Sequence, residues 1–190
     1  NIRFPMDHFV GVWWSGAEPD VLPAGEGANG YKSANFTGTG KDYPIFADIQ
    51  KYVVDTGKAA GDGTSLGQVQ YNRGMYAAML AAEAARKAQE LSGVKAINAA
   101  QMRDGMEALQ VTAARMAELG MPNFGPEVNV TCANHGGPGQ AMLQQWNAAE
   151  GRWHLITDWI QSDRELIGQL AAEDAAAYAQ ENNITPATCN

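Results

Sequence analysis

Basic residues are scarce in this chain: 13 Lys and Arg against 21 Asp and Glu leave a net charge of −8 and a pI near 4.8. A nucleic-acid surface needs Lys and Arg clustered on one face, and no such cluster is present, so nucleic acid is excluded as a partner. Long apolar runs are missing as well, and none approaches the roughly 20 residues that cross a bilayer. Histidines number three and cysteines two, without metal-ligand spacing. The nearest pair, Cys132 and His135, forms a lone Cys-x-x-His, which reads as structural. Neither a metal nor a cofactor is expected. Cys132 and Cys189 leave two alternatives: one disulfide closing a long loop, as an oxidising compartment permits, or two free thiols. No leader segment reads from Asn1 to Met6; a mature, trimmed or truncated chain begins in the same way.

What remains is a chain of 190 residues, 45% hydrophobic, enough to build a packed core. Phe9 to Trp14 is almost wholly apolar and predicts a strand buried on both faces, with Trp13 and Trp14 pointing to opposite sides. Two glycine-rich turns follow, and Tyr31 to Phe36 predicts a second strand. Pro44 opens a helix to about Thr56, with Gly57 as its C-terminal cap. Ser65 is placed to cap the longest helix, from about Gly67 to Glu90, whose alanine-rich middle suits close packing. Asn98 with Gln101 forms a capping box for a helix to about Leu109, and a short helix covers Thr112 to Leu119, ending at Gly120. Pro126–Cys132, Ala141–Trp146 and Trp153–Trp159 predict strands. Ser162-Asp163-Arg164-Glu165 opens a last helix to about Gln180, and a polar tail follows. The chain is therefore α/β, but too few strands alternate with the helices for a self-contained doubly wound domain. A missing part upstream is expected.

Several motifs fail on context. Gly25, Gly27 and Gly30 match G-x-G-x-x-G in letters, but the motif leads into a strand instead of a helix, and Glu26 repels a pyrophosphate. Ser15 follows a strand without the spacing of a hydrolase nucleophile, and nothing ties His8, His135 or His154 to it, so no enzyme is expected. Asn35-Phe36-Thr37 and Asn129-Val130-Thr131 are glycosylation sequons, meaningful only in a eukaryotic secretory chain. Ser15, Gly16 and Glu18 carry more weight. They follow directly on a strand, where open α/β sheets bind ligands, and a carboxylate there can hold a ligand ammonium.

The run Val10-Gly11-Val12-Trp13-Trp14-Ser15-Gly16-Ala17-Glu18 resembles the strand and ligand loop of the type I periplasmic solute-binding proteins of ABC importers, in the branched-chain amino acid-binding family. Asn29-Gly30-Tyr31-Lys32 with Phe36 resembles their crossover between lobes. Tyr71 with Tyr76-Ala77-Ala78 resembles their long helix, and Gln144-Gln145-Trp146 with Gly151-Arg152-Trp153 their terminal strand pair. The resemblance implies Rossmann-like lobes joined by three crossovers, with this chain forming the C-terminal half. Residues 1–30 would end the second lobe, 31–140 return to the first with its helices, and 141–190 supply the final crossover, terminal strands and last helix. It implies that Glu18 receives the ligand ammonium, Ser15 and Gly16 shape the loop, Tyr71 packs on the ligand side chain and Trp14 walls the pocket. The double Trp and the Ser-Gly-Ala-Glu-Pro loop depart from the common family pattern, which opens the ligand to amides, urea-like solutes and aromatic acids.

The function implied is that of a periplasmic receptor handing an amino acid or related small polar solute to an ABC importer. Its partners would be the permease subunits and the receptor's own N-terminal half. The alternative is a sensory ligand-binding module of the same fold, coupled to signalling through a membrane segment.

Overall fold

The computed structural model describes residues 4–186 and 189. Strand β1 (Val10–Gly11) is far shorter than the apolar run predicts. It pairs in parallel with β2 (Lys32–Asn35). Between them lie α1 (Glu18–Val21) and a 3-10 stretch, Leu22–Ala28, which contains the first two glycines of the false dinucleotide motif. The helices come next: α2 (Pro44–Ile49), continued by one wider π turn to Val54, then α3 (Val69–Ser92) and α4 (Ala99–Glu107). Strand β3 (Gln110–Val111), α5 (Ala113–Glu118) and β4 (Val128–Asn129) follow, and β3 and β4 pair antiparallel on their own. Last come β5 (Gln140–Asn147), β6 (Arg152–Leu155), β7 (Ile160–Gln161) and α6 (Arg164–Asn182). The main sheet runs β1-β2-β5-β6, with β7 also pairing on β5. A mixed sheet with a parallel pair and helices packed beside it gives the α/β class expected.

Where local signals are strong, the elements form as read. Asn98 and Gln101 make both bonds of the capping box. The Thr112 hydroxyl accepts from the Arg115 amide at the start of α5. Gly57 and Gly120 take the left-handed conformation after their helices, at φ 69° and 73°. In β5 the side chains alternate, with Met142, Gln144 and Trp146 buried.

Elsewhere the structure corrects the reading. The run Phe9–Trp14 is not a strand buried on both faces: Phe9, Val10 and Val12 are exposed. Trp13–Ser15 is a 3-10 turn, closed by both the Ser15 amide and its hydroxyl on the Val12 carbonyl. A serine that bonds its own preceding backbone offers the chain an alternative to the ladder. The two indoles accordingly do not diverge; they lie 4.3 Å apart. The strand predicted over 126–132 shrinks to β4 and that over 153–159 to β6, β7 forms separately beyond it, and Leu109 leaves the end of α4 to precede β3. Helix α3 takes Gln68, not Ser65, as its N-cap. Helix α6 is capped by Asp163, whose carboxylate accepts from the Leu166 amide, not by Ser162. The polar tail lies partly outside the described residues.

Three apolar clusters hold the chain together. Ala17, Val21, Ala28, Val69, Trp146 and Trp153 cover one face of the sheet. Ala84, Leu109, Val111, Met116 and Val128 seat α3 on the small sheet, while Phe46, Met121 and Phe124 pack beneath α2. Helices α3 and α4 touch closely because Gly105 has no Cβ; one there would meet the Ala84 carbonyl and Ala88. Glu83 on α3 is held by Arg86 and by a two-point contact from Arg115 of α5, 2.9 and 3.0 Å. These bonds, Arg115 first, pull its carboxyl down to about 2. Of the two alternatives for the cysteines, the structure has the bridge: Cys132 and Cys189 are bonded, 5.6 Å apart at Cα.

Candidate ligand-binding site

The loop leaving β1 is fixed from below by a buried polar spine. Ser33 and Asn35 on β2, Gln144 on β5 and Asn72 on α3 are all fully buried. The Gln144 amide donates to the Gly16 carbonyl at 2.7 Å and to the Ser33 hydroxyl at 3.1 Å. Its own oxygen accepts from Asn35 at 3.0 Å, and Asn35 also donates to the Thr37 carbonyl. Asn72 carries the connection into α3 by donating to the carbonyls of Gly38 and Gly40. The Asn72 Oδ1 has no partner among the described residues, whereas the bonds among Gln144, Asn35 and Ser33 are made, and paired buried polar groups rigidify what they touch. Gly16 lies so close over the sheet that a Cβ would collide with the Ser33 hydroxyl, so glycine is required there by close approach.

Above the spine sits an aromatic shelf. Trp13 packs against Trp14 with the two ring planes tilted by 32°, and edge-on to Phe36 at 5.8 Å. The Arg73 guanidinium lies 4.8 Å from the Trp13 ring and donates to the Trp13 carbonyl at 2.7 Å. Trp14 is 73% exposed and Phe36 42%, an unusual display of aromatic surface. The Ser15 hydroxyl lies 2.7 Å from the Tyr31 hydroxyl, which pins the loop to the start of β2.

Glu18 has another engagement. Both its carboxylate oxygens accept from the Val69 amide, at 3.0 and 3.3 Å. Gln68 offers no side-chain cap, so Glu18 supplies the anion that the N-terminus of α3 favours. Burial raises its proton affinity, while the backbone bonds and Arg73 oppose that shift. Its remaining exposure borders a polar cavity of about 630 Å³ that Lys41, Asp42 and Arg152 also line.

The structure therefore gathers Trp14, Ser15, Gly16 and Glu18 on one short loop and ties that loop to the first turn of α3. Tyr71 belongs to that turn, yet it sits two residues beyond Val69, roughly 200° around the helix. It packs on Phe46, their ring centres 6.3 Å apart, in the apolar cluster under α2. Arg73 and the polar spine were missed in the sequence, although one signal was there. In β5 the alternation of Met142 and Trp146 forces Gln144 inward, and an inward glutamine needs partners. The disulfide ties the segment after β4, at Cys132, to Cys189 near the end of the chain.

No protein-family model matches the chain, and no curated protein does. Solved structures do. Over 99% of its length the chain superposes on a protein described as an ABC transporter permease from the Pseudomonas fluorescens group, with a TM-score of 0.91 and 39% identity. A branched chain amino acid ABC transporter from Thermus thermophilus with bound valine matches over 81% of the chain, with a TM-score of 0.61 and 22% identity. The second likeness is one of fold alone. The chain spans 45% of the first of these proteins and 39% of the second. The mixed α/β fold, with its parallel pair in an otherwise antiparallel sheet, is thus shared with ABC transport proteins of about twice the length.

Proposed function

We propose that the chain is the C-terminal half of an extracytoplasmic solute-binding receptor, non-enzymatic, that delivers an amino acid or related small polar solute to an ABC importer. The observation that carries this reading is the superposition on the Pseudomonas protein along essentially the whole chain, at an identity of 39%. The rest agrees with it. No described helix is long and apolar enough to cross a membrane, as suits a receptor that works beside the permease subunits and not within them. The extra length of the similar protein corresponds to a half that would complete the sheet and close the cleft. A cavity of about 730 Å³, with Tyr76, Leu80, Leu109, Val128, Val130 and Ile160 in its wall, opens along α3 and β4. An apolar recess of that size in half a receptor is where the other half would pack. On this reading residues 1–30 belong to the second lobe, and β2 and β5 are two of the crossovers. The loop Trp14–Glu18 faces the solute, which is released by hinge opening.

Native mass spectrometry of the complete receptor, followed by denaturing mass analysis, tests the proposal. The expected result is a small molecule that travels with the folded protein and is lost on denaturation. Turnover of esters or amides by the pure protein, or the absence of any bound or bindable solute, would sink it.

A further inference from the structure

On the reading that this chain is half of a solute receptor, we infer that the upstream half of the polypeptide docks on α6. An apolar groove of that half closes over Leu166, Ile167, Leu170 and Tyr178 and sets a basic side chain opposite Asp174.

The face is offered in a fixed place. Helix α6 has no buried residue, and these four side chains are 50–61% exposed. At 100° per residue they fall within about 120° of one another around the axis, the width of stripe that a helix turns toward a core. In the 190-residue chain by itself the stripe has no cover among the described residues. Yet the helix is not loose. Arg164 at its start donates to the Gly137 carbonyl and to Asn134, and beyond its end Cys189 is bonded to Cys132. Anchors at both ends hold the stripe in one orientation, so a partner that covers it orders little that was free.

The size of the face selects the partner. A helix of 19 residues is about 28 Å long and about 10 Å wide, so one side of it offers about 300 Å². A second copy or a separate protein needs about 800 Å² on each side for a stable complex. A segment of the same polypeptide needs far less, because its tether keeps it beside the face at high effective concentration. The similar Pseudomonas protein provides such a segment: it matches 99% of this chain, α6 included, and the chain accounts for only 45% of it.

The chemistry of the groove follows from the acids in the stripe. Glu173 is bonded to Gln169 at 2.8 Å. Asp174 stands one turn from both Leu170 and Tyr178 and, like Glu181 at the rim, has no ion-pair or hydrogen-bond partner among the described residues. Covering Leu170 and Tyr178 also takes water from the Asp174 carboxylate, and a charge removed from water needs an opposite charge beside it.

The test is amide exchange of the complete receptor, read by mass spectrometry, with photo-cross-linking from benzoylphenylalanine in place of Tyr178. In the complete receptor α6 should exchange within tenfold of α3, and the cross-link should enter the upstream half of the same molecule. Leu170→Glu should speed exchange in α6 at least tenfold, and Asp174→Arg should do the same by facing a basic group. Ala172→Glu, roughly 200° around the helix from Leu170, should change it less than twofold. Melting temperatures of the variants separate lost docking from lost folding. A cross-link into a second copy, or an α6 that exchanges at least a hundredfold faster than α3 and gives no cross-link, would overturn the docking. If a solute still travels with the protein in that case, the receptor reading stands. Asp174→Arg without effect would remove the basic partner from the proposal. A docked α6 in a protein that binds no solute would instead sink the receptor reading and keep the docking.

Discussion

Helices α3 and α6 are the two longest of the chain, 24 and 19 residues, and both are rich in alanine. Their surroundings are opposite. Helix α3 buries Val69, Asn72, Glu83, Ala84 and Ala88, receives its N-terminal anion from Glu18, and lies tightly on α4. Helix α6 has no buried residue; Leu166, Ile167, Leu170 and Tyr178 recur at helical spacing, and each is at least half exposed. Among the described residues it is fastened at its ends. Arg164 donates to the Gly137 carbonyl and to Asn134, and beyond the helix Cys189 is bonded to Cys132. Both anchors reach one short segment, so helix and tail make a strap across it. The lesson is that composition does not settle whether a helix belongs to the core; the presence of its packing partner does. For α6 that partner, on the proposed reading, is the remainder of the receptor.

The disulfide is the means to break this contrast most sharply. Cys132→Ser with Cys189→Ser opens a loop of 57 residues, worth about 4 kcal/mol by chain entropy. The double variant should lose most of that in a denaturant titration, and amide exchange should accelerate first in α6. Unchanged exchange along α6 would mean that packing, not the bridge, holds it.

A second test acts on the α3 side. Glu83 is 7% exposed, while Arg115 and Arg86 are 31% and 53% exposed, so the cluster lies between a surface pair and a buried one. Glu83→Gln should cost about 2 kcal/mol at neutral pH, more than the ~1 of exposed pairs and less than the ~3–5 of buried ones. Its carboxyl is pulled from 4.5 to about 2 in the folded chain. The stabilisation is therefore complete above pH 4.5 and disappears as pH falls toward 2. Wild type and variant should converge across that window in acid titrations followed by circular dichroism. Parallel curves would show that the ion cluster does not tie α3 to α5.

This contrast also explains what could be read in advance. Elements with local instructions formed as expected: the Asn98–Gln101 box, Thr112 with Gly120, Pro44 with Gly57. The cap of α3 could not be read, because Glu18 lies 51 positions away and reaches it only through tertiary packing. The turn at Trp13–Ser15 was hidden for another reason. An apolar run reads as strand whether or not a serine closes it. At the site, Trp14, Ser15, Gly16 and Glu18 were legible as a loop from the motif they resemble. Arg73 was not, since a single arginine in an alanine-rich helix carries no mark of the ring it will face.

The smallest effect separates the two helices most cleanly. Gly74 in α3 and Gly168 in α6 both have open space where a Cβ would stand. Alanine at either position should stabilise its own helix by about 0.5–1 kcal/mol. The consequences diverge because α3 unfolds with the core, whereas a helix with no buried residue can open alone. Gly74→Ala should therefore raise the global unfolding midpoint, seen by tryptophan fluorescence. Gly168→Ala should leave that midpoint in place and slow amide exchange within α6 alone. Equal shifts in the midpoint would show that α6 unfolds with the core after all, through its two anchors, and the strap would then be part of the cooperative unit.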